Sequence, residues 1–301
     1  MMRHLGTNAG PEMAGSVKAR GATSLPDLFP AGRPFIKMHG LRNHFVIVDA
    51  RAQAYRPGIG EIRRICDVQS GVGADQLVVV EPPQDRSADV FMRLYNVDGR
   101  EVEACGNATR CVAWLLLEEA RLDEVSIETR AGVLRCQRAG SRLVRCEMGR
   151  VNLDWRRIPL AREADTLHLD VGHGPLSDGV ALNIGNPHVV YFVDDLGSID
   201  IPKHAAPIQQ DPMFPAGVNV GVAELVDESH LELTVYERGV GLTMACGSGA
   251  CVAAFAARAR GLTPAARIDV QLPGGTVQIE IRPDDTAVMT GPVEFCFSGN
   301  L

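Results

Sequence analysis

Apolar residues fall into two kinds of run along this chain. Short stretches, FIKMHG (35–40), HFVIVDA (44–50), DQLVVVE (75–81) and DVFMRLYNVDG (89–99), read as strands bounded by turn residues. Two longer runs, near 107–121 and 248–260, are apolar on all sides, which predicts helices wrapped by other elements; Gly261 offers the second a C-terminal cap. The order of strands, one helix and more strands occurs twice. Tyr95 and Cys105 in the first half match Tyr236 and Cys246 in the second at a constant offset of 141. SIETRAGVLRC (126–136) resembles DVQLPGGTVQI (269–279), EMGRV (147–151) faces MTGPV (289–293), and Asn43 and Asn186 each precede a Val-rich strand ending in Asp. A repeat this long means two similar domains rather than a solenoid. The expected fold is α/β (α+β). It has two pseudo-twofold-related domains, each a curved, mostly antiparallel sheet around a central apolar helix. The expected boundaries are 33–149 and 150–285, with a C-terminal strand over 286–301 returning to the first domain.

Composition narrows the function classes. The chain has 301 residues, 46% hydrophobic and 22% charged, with a net charge of −7. That balance fits a globular protein and gives no footprint for nucleic acid or an anionic membrane. No apolar run approaches the length of a membrane span. Residues 1–32 are rich in Gly, Ala, Pro and Ser without a hydrophobic core, so they read as a disordered extension, or a start codon assigned too far upstream, rather than a signal peptide. Eight cysteines without a Cys-x-x-Cys spacing read as free thiols, most of them core filler. No His, Asp and Glu grouping has metal-ligand spacing, so no metal is expected.

Two cysteines stand apart. EACGNATRCVAW (103–114) and MACGSGACVAAF (244–255) repeat Ala-Cys-Gly-polar, each time opening an apolar helix. Asn107 and Ser248 are good N-cap residues, which places each Cys-Gly pair just before a helix N-terminus. The unpaired N–H groups and positive dipole end there favour an anion, either a thiolate or a substrate carboxylate held by Gly106–Asn107 or Gly247–Ser248. A lone cysteine before an apolar helix is more often a small buried hydrophobe, and Cys111 and Cys251 inside the helices fit that description. Two matching turns at repeat positions argue for a shared cleft. Two thiols on opposite faces of one carbon suit proton removal on one side and return on the other, inverting a centre next to a carboxylate. The only lysines are Lys18, Lys37 and Lys203, and none lies near a phosphate-binding glycine loop, so cofactor-free chemistry is expected rather than pyridoxal phosphate.

At this point the residues resemble the diaminopimelate epimerase family. The motifs are KMHGLRNHFVIVD (37–49), GVGADQLVVVE (71–81), YNVDGREVEACGNATRC (95–111), NIGNPHVV (183–190), GVNVG (217–221) and YERGVGLTMACGSGAC (236–251), in family order over 35–297. The resemblance implies interconversion of LL- and meso-2,6-diaminopimelate in lysine and peptidoglycan precursor synthesis. It implies no cofactor, a homodimer and a cytoplasmic location. It makes Cys105 and Cys246 the acid/base thiols, with Gly106–Asn107 and Gly247–Ser248 on the reacting carboxylate. Asn43 and Gln76 would line the same site. Asn96, Asn186, Asn219 and Arg238 would hold the distal end, and Glu237 and His188 would lie beside the reacting centre. By themselves, Asn96, Asn186 and Asn219 read equally as turn residues, whereas Arg238 suits bidentate carboxylate recognition. Arg42, His44 and the Leu242–Thr243 pair depart from the family pattern beside these positions. A proline or hydroxyproline racemase, or another amino-acid racemase, is the nearest alternative, and a thiol redox or metal-binding protein and a non-enzymatic binding module are others. Cysteines alone do not separate the first of these, but NVDG and ERG before the two thiols speak against it.

Overall fold

A computed structural model describes residues 32–301. The extension expected over 1–32 lies outside the described residues except for Gly32. Arg33–Leu301 forms one compact unit.

The first half runs β1 (Pro34–Gly40), β2 (Asn43–Asp49), α1 (Ile59–Cys66), β3 (Gln76–Glu81), β4 (Val90–Asn96), β5 (Glu101–Val102), α2 (Gly106–Ala120), β6 (Glu124–Thr129), β7 (Gly132–Gly140) and β8 (Leu143–Arg150). The second half repeats this order. It runs β9 (Val180–Asn183), β10 (Pro187–Phe192), α3 (Ile201–Gln209), β11 (Asn219–Asp227), β12 (His230–Glu237), β13 (Gly241–Leu242), α4 (Gly247–Ala259), β14 (Arg267–Leu272), β15 (Gly275–Ile281) and β16 (Thr286–Pro292), followed by β17 (Glu294–Asn300).

The pairings repeat as well. β2–β3 and β10–β11 are parallel, β3–β4 and β11–β12 antiparallel, β4–β6 and β12–β14 parallel, and β6–β7–β8 and β14–β15–β16 antiparallel meanders. β8 and β16 pair antiparallel, Met289 opposite Cys146, and join the halves into one sheet of seventeen strands. The stretch expected as one strand over 286–301 is two: β16 stays beside β15, and after Val293 the chain crosses so that β17 pairs with β1. The fold is mixed α/β with two repeats, each wrapping its sheet around one helix.

Each sheet closes around its helix because the helix buries nearly every face. α4 is built from Ala250, Cys251, Val252, Ala253, Ala254, Ala256 and Ala257, all fully buried, and these small residues let strands pack on all sides. α2 buries Cys111, Val112, Ala113 and Leu117 against β1, β2 and β6–β8. Each large buried aliphatic side chain contributes about 1.5–3 kcal/mol. α2 is not apolar throughout, however: Asn107, Thr109 and Arg110 are buried in its first turns. α4 ends as its glycine predicts. Gly261 takes φ +68°, and Leu262 and Gly261 donate to the carbonyls of Ala257 and Arg258.

The single helix expected per half is joined by a second. α1 buries Ile62, Ile65 and Cys66 on the outer face of β2 and β3. α3, capped by Asp200 on the Lys203 amide, buries Ile201, Ala205 and Ile208 against β10 and β11. At eight and nine residues they are too short to stand out as a periodic pattern.

Candidate active site

The starts of α2 and α4 meet. A β-carbon at Gly247 would stand 3.8 Å from Cα of Gly106, and one at Gly106 would fall 2.8 Å from Cε of Met148 and 2.9 Å from Cε of Met289. Those two methionines occupy the same repeat position, so their methyl ends close the junction symmetrically, and any side chain at Gly106 would have to push them aside. Both helices begin two residues earlier than Asn107 and Ser248 suggested as caps. Cys105 and Cys246 are themselves the N-cap residues, in extended conformation. Gly106 and Gly247 join the first turn because nothing beyond Cα resists the approach, and the sulfurs therefore sit directly at the two helix N-termini.

Each sulfur has its own set of partners. Cys105 is half-buried, its Sγ 3.7 Å from Asn43 Oδ1, which also accepts from Asn107 Nδ2 at 3.2 Å. Asn107 Nδ2 reaches the carbonyl of Ala245 at 3.3 Å, a bond from one half to the residue before the other cysteine. Cys246 is buried, accepts from the Gly249 amide at 3.4 Å and lies 3.5 Å from Ser248 Oγ. His188 Nε2 is 3.1 Å from that hydroxyl and 3.0 Å from Asn186 Oδ1, and Asn186 Nδ2 donates to Ser248 at 3.4 Å. Asn43 with Asn107 and Asn186 with Ser248 are thus the same arrangement built twice.

Burial sets the electrostatics. It pushes the Cys105 thiol up to about 11; the Ala108 amide and, more weakly, the Asn107 amide and Arg110 pull it back, while the Glu237 carboxylate pushes it further up. Burial, then Glu237, hold the Cys246 thiol well above its usual range, opposed by Ser248 and the Gly249 amide. Burial also raises Glu237, whose Oε1 accepts from the Thr243 hydroxyl at 2.7 Å. His188 is lowered to about 3 by burial and by the charge of Arg238, so its ring is neutral.

The remaining expected residues lie on strand ends around this pair. Gln76 and Asn96 face each other across β3 and β4, and Gln76 Nε2 donates to Asn96 Oδ1 at 2.8 Å. Gln76 Oε1 is buried without a partner. Asn219 is buried and bound to backbone, accepting from the Arg238 amide at 2.9 Å and donating to the Pro187 carbonyl at 3.1 Å. Arg238 is exposed, and its Nη1 donates to the Ala216 carbonyl at 2.6 Å. No hydrogen bond joins Gln76, Asn96, Asn219 or Arg238 to either cysteine among the described residues.

Several neighbours were not singled out from sequence. Asp75 Oδ2 accepts from Asn43 Nδ2 at 3.1 Å and from the His44 amide at 2.6 Å, fixing Asn43. Its signal was an acid just before the strand that carries Gln76. Arg110 bonds Asn107, and its signal was a lone cation inside an otherwise apolar helix. Arg42, one of the departures from the family pattern, takes φ +64° in the turn between β1 and β2. An apolar cavity of about 470 Å³, lined in part by Ile47, Val112 and Leu116, lies beside the C-terminal half of α2, away from both thiols. No group of three metal-ligating side chains occurs among the described residues, and no helix among them is long and apolar enough to cross a membrane.

The sequence profile of the diaminopimelate epimerase family matches residues 35–153 and 180–296. The diaminopimelate epimerase of Rhodospirillum centenum is 45% identical over 269 residues, 89% of this chain and 92% of the relative. That of Erythrobacter litoralis is 47% identical over 268 residues, 89% of this chain and 96% of the relative. Among solved structures, a hydroxyproline epimerase from Agrobacterium vitis shares the fold at a TM-score of 0.65 and 15% identity, over 90% of this chain and 91% of that one.

Proposed function

The chain belongs to the diaminopimelate epimerase family, and from that premise we infer that it interconverts LL- and meso-2,6-diaminopimelate by proton transfer at Cα, in the supply of lysine and peptidoglycan precursors. The observation that carries this reading is the meeting of two cysteine-capped helix starts, with the glycines after the cysteines in contact distance. One thiolate takes the α-proton and the electron pair of the broken C–H bond stays on carbon. The opposite thiol delivers its proton to the other face, so the centre inverts and the sulfurs exchange protonation states.

The N–H groups of Gly106, Asn107, Gly247 and Ser248 hold the α-carboxylate, where two helix dipoles favour negative charge and stabilise the carbanion as it forms. Asn43 and Gln76 line the reacting end; the unpartnered Gln76 Oε1 is an acceptor that a substrate ammonium would satisfy. Arg238 takes the distal carboxylate, with Asn96, Asn186 and Asn219 around it. Asn219 serves there mainly by holding the Arg238 backbone, since its amide oxygen is already occupied. Glu237 and the neutral His188 tune Cys246. The chemistry needs no cofactor. The working domains are 33–149 with the C-terminal strand Glu294–Asn300, and 150–292. By resemblance the protein acts as a homodimer in the cytoplasm.

Incubating the purified protein with LL-diaminopimelate in heavy water tests the reading. The expected product is the meso isomer carrying deuterium at the inverted carbon. Proton exchange on proline or hydroxyproline, with none on diaminopimelate, would overturn it.

A further inference from the structure

Arg110 is the largest fully buried side chain of the described residues, and none of their carboxylates pairs with it. Its Nη2 donates to Asn107 Oδ1 at 2.7 Å, its Nη1 lies 3.1 Å from Met289 Sδ, and its Nε has no partner. Backbone closes in from both sides: a β-carbon on Gly291 of β16 would stand 3.0 Å from Nε, and one on Gly40 of β1 3.2 Å from Nη2. A buried guanidinium without a counter-ion is costly, and arginine does not escape the cost by shedding its proton. Such a charge calls for an anion that the unliganded chain does not otherwise supply.

The thiols around it are Cys105, Cys111, Cys136 and Cys251, and its charge pulls each of them down. Cys111, Cys136 and Cys251 have no exposed surface. Cys105 alone is accessible and sits at the helix N-terminus that Arg110 backs. At the matching position of the other half α4 carries Cys251, so Cys246 has no such cation behind it, and the Glu237 carboxylate lies against it instead. Other groups weigh the other way. Asn43 Oδ1 faces the Cys105 sulfur at 3.7 Å, Glu237 also bears on Cys105, and the Ser248 hydroxyl and Gly249 amide favour a charge on Cys246. Glu237 bears on Cys246 through a hydrogen bond as well as through its charge, while the Ala108 and Asn107 amides join Arg110 in favouring a charge on Cys105.

We propose that Arg110 is a positioning residue for the epimerisation: it locks the Asn107 amide with Nδ2 towards the cleft and places a compensating charge behind the start of α2, so that Cys105 ionises before Cys246. The consequence for turnover rests on the epimerase reading; the distribution of the thiolate does not. Arg110 thereby makes two sites unequal that the repeat would otherwise make alike.

The test is alkylation of the full, unliganded chain with iodoacetamide across pH, with each cysteine followed separately by peptide mass spectrometry, because the thiolate is the reactive form. In the native protein the Cys105 profile has its midpoint below that of Cys246. Arg110→Gln removes the charge while keeping an amide donor; it raises the Cys105 midpoint by about one unit, roughly a tenfold loss of thiolate at a given lower pH, and leaves Cys246 in place. Arg110→Lys keeps the charge and the native Cys105 midpoint. A native midpoint for Cys246 at or below that of Cys105 overturns the proposal, as does a shift shared equally by both cysteines, no shift in Arg110→Gln, or a lysine variant that behaves like the glutamine one. If the glutamine variant does not fold, the native order and the lysine variant still decide. No substrate is present, so absence of epimerisation would defeat the functional reading and leave this result untouched.

Discussion

The start of α2 and the start of α4 are the same turn with different surroundings. Both place a cysteine at the N-cap, a glycine at the first helical position and a polar residue next, and both have an asparagine from a preceding strand end facing that polar residue. Around this frame the side chains diverge. Behind the first turn stands Arg110, behind the second Cys251. Where β4 ends the matching pair is Asn96–Val97, and where β12 ends it is Glu237–Arg238. Phe45 opposes Gln76 in the register where His188 opposes Asn219. The backbone repeat places two thiols symmetrically on a junction, and side-chain divergence then gives one end a cation and the other a carboxylate, a neutral histidine and a distal arginine. A symmetric scaffold suits chemistry on two faces of one carbon, while an asymmetric lining suits a substrate whose two ends are in different states.

The largest expected effect breaks the symmetry of the frame itself. Cys105→Ala and Cys246→Ala should each lower interconversion of the diaminopimelate isomers by about 10²–10⁴-fold, the range for removing a positioned acid or base. Near-native turnover in either variant would defeat the two-thiol reading, and loss in only one would make the ends far more unequal than the geometry implies.

Next comes the distal arginine, which only the second half carries. Arg238→Met should lose on the order of 2–5 kcal/mol of transition-state binding to diaminopimelate, the scale for removing one partner of a charge pair enclosed by bound substrate. Lysine, with one carboxylate fewer, should be a poor substrate of the native enzyme, and the variant should narrow the gap mainly by harming diaminopimelate. Comparing kcat/KM for both substrates in both proteins checks this; an undiminished preference in the variant would remove Arg238 from the distal site.

His188 distinguishes the halves through pH. Its folded-state value is depressed to about 3 from 6.5, so below about pH 6.5 the unfolded chain takes up a proton that the folded chain refuses. Stability is therefore fully present above pH 6.5 and falls as pH drops towards 3. His188→Phe, which installs the residue of the first half, should flatten that part of the acid limb in thermal unfolding measured from pH 3 to 8. Identical acid limbs in the two proteins would show that the ring titrates normally.

The smallest effect lies in the turn before Asn43. Arg42 holds φ +64° where its counterpart in the second half is Gly185 at φ +104°. Left-handed backbone costs a side-chain-bearing residue roughly 1–2 kcal/mol, and part of that returns as unfolded-state entropy when glycine replaces it. Arg42→Gly should thus raise stability by about 1 kcal/mol without changing the thiols; a loss of stability would mean that the arginine side chain contributes contacts of its own.

By itself the sequence determined what is local or periodic. Val-rich alternation marked β1 to β4, the two apolar runs marked α2 and α4, and the constant offset between Cys105 and Cys246 revealed the repeat, because helix and strand periods are written in neighbouring residues. The motifs carried the family, and with it the expectation that both cysteines act at one carbon. Only the tertiary structure decided what depends on distant residues meeting. It brought Gly106 to Gly247, tied Asn107 to the Ala245 carbonyl, set Asp75 against Asn43 and closed β1, β16 and α2 over Arg110. It also moved both helix caps two residues back onto the cysteines, and sent β17 across to β1. None of these is visible in spacing, since a hydrogen bond between residues 138 apart, or the burial of a charge, is fixed by how sheets close on one another and not by the residues on either side.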